Sequence, residues 1–284
     1  MPRHIFDPYP PWVPHSSLLF GLGWGSCFSA WACIGYGNSN QETRDSLLSL
    51  FLMLSPRDRL IVALDVSSAS EAQRIVTAVG GSATTFKVGK QLFTAEGPAI
   101  VRDLVASGRK VFLDLKFHDI PNTVAGAVSE AAKLNVAMLT VHASGGSKML
   151  KAAAQASSQS SSKPLILAVT VLTSLNDADL QDQGITSGVQ SQVLRLAGTA
   201  LQAGCGGIVA SAHEASHLRQ MLGTGFAVVT PGVRPPGTDA GDQARVVTPK
   251  DAMTAGATYI VVGRPITAAA DPAAAAASIL AEIS

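Results

Sequence analysis

The chain has 284 residues, of which 47% are hydrophobic and 14% charged, and a formal net charge of +1. That length and apolar content suffice for a large buried core, while near-neutrality without a Lys/Arg cluster excludes a broad electrostatic footprint for nucleic acid and favours a small charged ligand. Three cysteines without a C-x-x-C pair, only Cys205 lying beyond residue 33, exclude an even disulfide framework and point to a reducing, cytoplasmic setting.

The first fifty-odd residues differ in composition from the rest. Trp12, Trp24 and Trp31 all lie there, and no Asp, Glu, Lys or Arg occurs between Asp7 and Glu42. The apolar run Leu18–Tyr36 approaches the length of a membrane span, but its four glycines and its serines weaken insertion. With Arg3 as its only basic residue, accompanied by Asp7 and prolines, the segment also reads poorly as a signal peptide. Residues 1–56 are therefore expected to be an N-terminal extension, disordered or outside the native protein, with Met53 as the natural start and no membrane partner.

From Leu60 onward, short β-branched runs alternate with Ala-rich segments of helical period. The runs are Leu60–Val66, Thr84–Gly89, Lys110–Phe117, Met138–Ala143, Leu165–Leu172, Gly207–Ser211, Ala227–Val233 and Tyr259–Gly263. Between them, segments such as Ser70–Val79, Ala95–Ala106, Thr123–Leu134, Gln190–Ala203, His213–Leu222 and Pro272–Ile283 are long enough for crossover helices. Eight such units predict an α/β fold, a (β/α)8 TIM barrel filling residues 57–284 as a single domain. A doubly wound open sheet is the structural alternative.

In a barrel, active sites lie where strands end and βα loops begin. Asp65 ends the first run, Lys87 lies on the second, Asp114 and Lys116 on the third, and His142 near the end of the fourth; Thr173, Arg234 and Arg264 follow the fifth, seventh and eighth. Asp114 and Lys116 are two apart on a strand, which aims both side chains at one face. A lone D-x-K reads as an ordinary ion pair. Here Lys87 and Asp119 extend it to an alternating array of two cations and two anions, costly to desolvate and hard to justify by stability alone. A lysine held among carboxylates carries a proton for donation. A substrate carboxylate forced beside Asp114 would be relieved by loss of carbon dioxide while Lys116 stabilises the developing carbanion, so the array suits decarboxylation with proton replacement.

Gly263-Arg264 and Pro231-Gly232-Val-Arg234 follow the eighth and seventh runs, where barrels commonly bind phosphate. Either glycine alone reads as a turn residue; together with the arginines the two segments suggest a phosphate site. Gln243, in the stretch Gly237–Arg245, is read as a polar contact closing over the ligand.

The run Asp114–Thr123, D-L-K-F-H-D-I-P-N-T, resembles the hallmark of the orotidine 5′-phosphate decarboxylase family. Supporting stretches follow in order: L-I-V-A-L-D ending at Asp65, F-K-V-G-K at Phe86–Lys90, V-L-T-S at Val171–Ser174, P-G-V-R-P at Pro231–Pro235, G-D-Q-A-R at Gly241–Arg245 and V-G-R-P-I-T at Val262–Thr267. The resemblance spans about Arg59 to Ser284 and implies a cofactor-free, metal-free enzyme that converts orotidine 5′-monophosphate to UMP. It makes Lys116 the proton donor, with Lys87, Asp114 and Asp119 completing the array. It assigns Asp65 to the ribose or base, Thr123 to the ribose side, Thr173 to the nucleotide, and Arg234, Gln243, Gly263 and Arg264 to the phosphate. It also implies a homodimer in which Asp119 and Thr123 reach into the neighbour's site.

Two other readings compete. A magnesium-dependent sugar-phosphate decarboxylase or lyase of the same barrel superfamily would carry a glutamate ligand on the second strand, where this chain has Lys87, a cation that repels Mg²⁺. A catalytically silent barrel that binds phosphorylated ligands would lack a catalytic group, whereas every expected one is present.

Overall fold

A computed structural model describes residues 45, 47–49, 51, 53–235 and 247–284. The chain divides into two units, Met1–Gly37, which lies outside the described residues, and Asn38–Ser284. In the second unit eight parallel strands close into a barrel in sequential order: β1 Leu60–Leu64, β2 Thr85–Gly89, β3 Lys110–Phe117, β4 Met138–His142, β5 Leu165–Val169, β6 Gly207–Val209, β7 Ala227–Thr230 and β8 Tyr259–Val262. The expected (β/α)8 barrel is thus observed, and closure of β1 on β8 removes the open-sheet alternative.

Alternation along the strands sorts the core into two layers. Ile61, Ala63, Phe112, Leu167, Val229 and Val261 point into the barrel, while Leu60, Val62, Phe86, Leu113 and Val228 face the helices. The helices meet that outer face with apolar stripes. In α1, Ala69–Val79, the buried residues are Ala72, Ile75, Val76 and Val79, the i, i+3, i+4, i+7 spacing of one helix face. Ser68 starts this helix by accepting a hydrogen bond from the Glu71 amide, and Gly80 ends it at φ 59°. Among the described residues no helix is long and apolar enough to cross a membrane.

The end of the barrel where the strands begin is plugged. Phe51 is 6% exposed and packs edge-on to Tyr259, their ring centroids 6.3 Å apart, with Leu47 and Leu54 against the same cluster. Arg59 ties this segment down through hydrogen bonds to the carbonyls of Leu54, at 3.3 Å, and Phe51, at 3.0 Å. Burial there pushes the Tyr259 hydroxyl up to about 12. These contacts carry the packed core upstream of the expected boundary at residue 57; the greater part of the expected extension, residues 1–44, lies outside the described residues. Phe51→Ala should accordingly cost about 3 kcal/mol of stability, the usual range for emptying a buried phenylalanine site. Urea unfolding of the full chain, the alanine variant and a chain beginning at Met53 checks this. Equal midpoints for all three would mean that the plug adds nothing.

Candidate active site

With one end plugged, the opposite end of the barrel holds a cavity of about 850 Å³ where the strands finish. Parallel register builds its charged side: Ala63 pairs with Lys87, Lys87 with Phe112, and Gly89 with Asp114. Lys87 and Asp114 therefore point inward at successive heights, and Asp65 stands just beyond β1. Lys87 Nζ lies 2.7 Å from Asp65 Oδ1 and 3.9 Å from Asp114 Oδ2, and Lys116 Nζ lies 2.8 Å from both Asp114 oxygens. The result is an alternating row, Asp65, Lys87, Asp114, Lys116. The side chains of Lys87, Asp114 and Lys116 are only 11%, 13% and 24% exposed. Removing such charges from water costs more than pairing returns unless further partners arrive, so the row is better matched to a ligand than to stability.

The sequence expectation had Asp119 as the second anion. Within one chain that place belongs to Asp65: Asp119 is exposed, does not line the cavity, and its Oδ1 accepts a hydrogen bond from the Ile120 amide at 2.6 Å. Thr123, near the start of helix α2, Pro121–Lys133, is also exposed and outside the cavity. Lys116 reaches the cavity as expected, but not along a regular strand. Its φ is 55°, and the pairing of β3 with β4 shifts register between Leu113 and Phe117.

Across the cavity, Thr173 follows β5, Arg234 follows β7, and Gly263 and Arg264 follow β8. Arg234 is 8% exposed, and its amide donates to the Val247 carbonyl at 3.0 Å, joining the two ends of the segment 236–246. Gln243 falls in that segment and lies outside the described residues. A Cβ at position 263 would sit 3.6 Å from Ala63 Cβ and 3.8 Å from Asp65 Oδ2, ordinary contact distances, so glycine here keeps the approach open without being forced by the backbone.

Two features escaped the sequence reading. Gly89 lies close to the charged row, since a Cβ there would stand 3.0 Å from Lys87 Nζ and 3.3 Å from Asp65 Oδ1 and would press these side-chain ends aside by a few tenths of an ångström; a glycine ending a strand is the signal of such a close approach. Val169, Val171, Leu172, Val209, Val229 and Val261, indistinguishable from core in sequence, line the cavity and give it an apolar wall. Charge on one side, an apolar wall and basic groups on the other suit a flat ring bearing acidic substituents. Among the described residues no three of His, Cys, Asp and Glu converge as a metal site.

His142, at the end of β4, stacks against His118 with centroids 5.4 Å apart. Its pKa is lowered, chiefly by burial and then by repulsion from His118, Lys116 and Lys90, with Asp114 opposing. The unfolded chain then binds this proton more readily than the folded one, so the contribution to stability is intact above the ordinary histidine value of 6.5 and lost as pH falls below it. His142→Gln should flatten the decline in the urea midpoint between about pH 7 and pH 5. An unchanged slope would show that other groups set it.

Residues 58–279 match the Orotidine 5'-phosphate decarboxylase / HUMPS family. The orotidine 5'-phosphate decarboxylase of Sodalis glossinidius (strain morsitans) is 52% identical over 242 residues, covering 84% of this chain and 96% of its own. That of Moorella thermoacetica (strain ATCC 39073 / JCM 9320) is 50% identical, covering 83% of this chain and 96% of its own. The crystal structure of the Lactobacillus acidophilus enzyme of the same name superposes with a TM-score of 0.71 at 39% identity, over 80% of this chain and 99% of that one.

Proposed function

The chain belongs to the orotidine 5′-phosphate decarboxylase / HUMPS family and decarboxylates orotidine 5′-monophosphate to UMP in pyrimidine biosynthesis, and from that premise we propose that Lys116 is its proton donor. The observation that carries the assignment is the grip of both Asp114 oxygens on Lys116 Nζ, inside the cavity and beside Lys87. The pyrimidine lies against the apolar wall with its carboxylate toward Asp114. Arg234, Gln243, Gly263 and Arg264 take the phosphate, Thr173 the nucleotide, and Asp65 the ribose or base.

The bond to the carboxylate carbon breaks, carbon dioxide leaves, and the electron pair stays on the ring carbon. Lys116 Nζ gives that carbon a proton and recovers one from solvent, so substrate plus one proton becomes UMP plus carbon dioxide. Fixed ammonium groups aimed at a developing carbanion in a partly water-excluded cavity lower the barrier without reorganising, and such preorganised electrostatic stabilisation is usually the largest single catalytic contribution. Asp114, by contrast, repels the substrate carboxylate and loses that repulsion as the bond breaks.

The active form in this reading is a cytoplasmic homodimer in which Asp119 and Thr123 serve the partner's site. Their exposure outside their own chain's cavity supports this. No metal or cofactor is required. The magnesium-dependent alternative is disfavoured by Lys87, which stands 3.9 Å from Asp114 Oδ2 and would face any cation held there. The test is the fall in ultraviolet absorbance when orotidine 5′-monophosphate is added to the full chain in excess chelator. Activity that disappears with chelator and returns with Mg²⁺ would move the protein to the metal-dependent reading.

A further inference from the structure

The pairing of β3 with β4 runs in register through Phe112 with Met138 and Leu113 with Leu139, then resumes at Phe117 with Val141. Four steps along β3 thus match two along β4, and Asp114, Leu115 and Lys116 bulge opposite the single residue Thr140. Lys116 at the crest has φ 55°, a left-handed conformation that L side chains avoid on steric grounds. Such a backbone persists only where its surroundings hold it.

Thr140 does so with its side chain. The Lys116 amide donates to Thr140 Oγ1 at 2.9 Å, and the same hydroxyl donates its hydrogen to Asp114 Oδ1 at 3.0 Å. Asp114 Oδ1 in turn accepts from Lys116 Nζ at 2.8 Å. Backbone amide, hydroxyl, carboxylate and ammonium therefore form one closed ring. Thr140 is fully buried, at 0% exposure, so its hydroxyl has no bulk water to exchange with. Among side chains of this size only a hydroxyl both accepts from an amide and donates to a carboxylate; valine has the same shape and does neither.

We infer that Thr140 is a positioning residue for the decarboxylation, fixing the bulged backbone of Lys116 and the carboxylate of Asp114 in one arrangement. It touches neither substrate nor the reacting bond and acts only through those two groups. The inference rests on the reading of Lys116 as proton donor.

Thr140→Val and Thr140→Ser in the full chain test it, with kcat, KM, the Kd for UMP and thermal unfolding measured on each. A displacement of Lys116 by a fraction of an ångström to 1 Å should lower kcat of the valine variant by about 100-fold. KM and the UMP Kd should stay within about threefold, since the binding groups on β5, β7 and β8 are untouched. Serine, which keeps the hydroxyl, should restore kcat to within about fivefold of the parent. If valine prevents folding, Thr140→Ala set against Thr140→Ser differs by the hydroxyl alone and gives the same contrast. A valine or alanine variant with parental kcat overturns the inference. So does a serine variant as slow as valine, or a loss of UMP affinity equal to the loss of kcat, either of which marks a merely structural role. The donor reading fails separately, through a Lys116→Ala variant that retains turnover.

Discussion

Lys116→Ala should lower kcat by about 10⁴-fold, the combined scale of losing a positioned acid and a charge aimed at a developing carbanion. KM should stay within a few-fold, because the groups assigned to the phosphate follow β7 and β8, not β3. The asymmetry is the informative part. An interaction made only in the transition state lowers kcat and kcat/KM together, whereas an interaction made equally with the bound substrate raises KM alone. Arg264→Ala supplies the opposite case, with KM rising more than kcat falls. Among the described residues, removing Lys116 also leaves Asp114 with the 3.9 Å contact to Lys87 as its remaining ion pair, so unfolding curves must accompany the kinetics. A folded Lys116→Ala enzyme retaining a tenth or more of the parental kcat would contradict the loss of about 10⁴-fold expected for the proton donor.

The barrel was legible because each element is locally consistent with it. β-Branched runs, buried on both faces in the barrel, are separated by Ala-rich segments of helical spacing, and closure then follows from eight successive parallel pairings. The fifth and seventh expected runs extended to Leu172 and Val233, whereas β5 and β7 stop at Val169 and Thr230. The residues beyond are as apolar as a strand but line the cavity as loops. The helix Gly146–Gln159 gave a weak signal because alanine and serine fill half of its positions, yet it buries Met149, Leu150 and Ala153. At the site, parallel register placed Asp114 with Lys87 and Asp65, whereas Lys116 joins Asp114 through the bulge and its φ of 55° and not through the strand period the sequence suggested. Thr140 could not be found that way. In sequence it is an ordinary β-branched strand residue, and its partners are defined only by a register shift between two strands. Phe51 was hidden for a different reason: it sits in a segment whose composition differs from the barrel it plugs.

Asp119→Ala should abolish most turnover although Asp119 lies outside its own chain's cavity, and the loss should be recoverable by mixing. If Asp119 serves the partner's site, then Lys116→Ala and Asp119→Ala homodimers are each defective at both sites. A mixed dimer differs. One of its sites takes Lys116 from the Asp119→Ala chain and Asp119 from the Lys116→Ala chain, and is complete; the other collects both defects. Random exchange of equal amounts makes about half of all dimers mixed, so about a quarter of all sites regain parental activity, as a two-fold interface requires. An exposed Asp119 whose Oδ1 accepts from the neighbouring Ile120 amide is poised for such a role, and Ile120, 67% exposed beside it, is the kind of apolar contact a second copy would cover. The two variants are unfolded and refolded together, subunit exchange is verified by native mass spectrometry with one chain isotope-labelled, and decarboxylation is compared with separately refolded controls. Recovery near a quarter would fix Asp119 as a residue of the partner's site. Exchange without recovery would return Asp119 to its own chain or remove it from catalysis, and with it the reading of the homodimer as the form that completes the site.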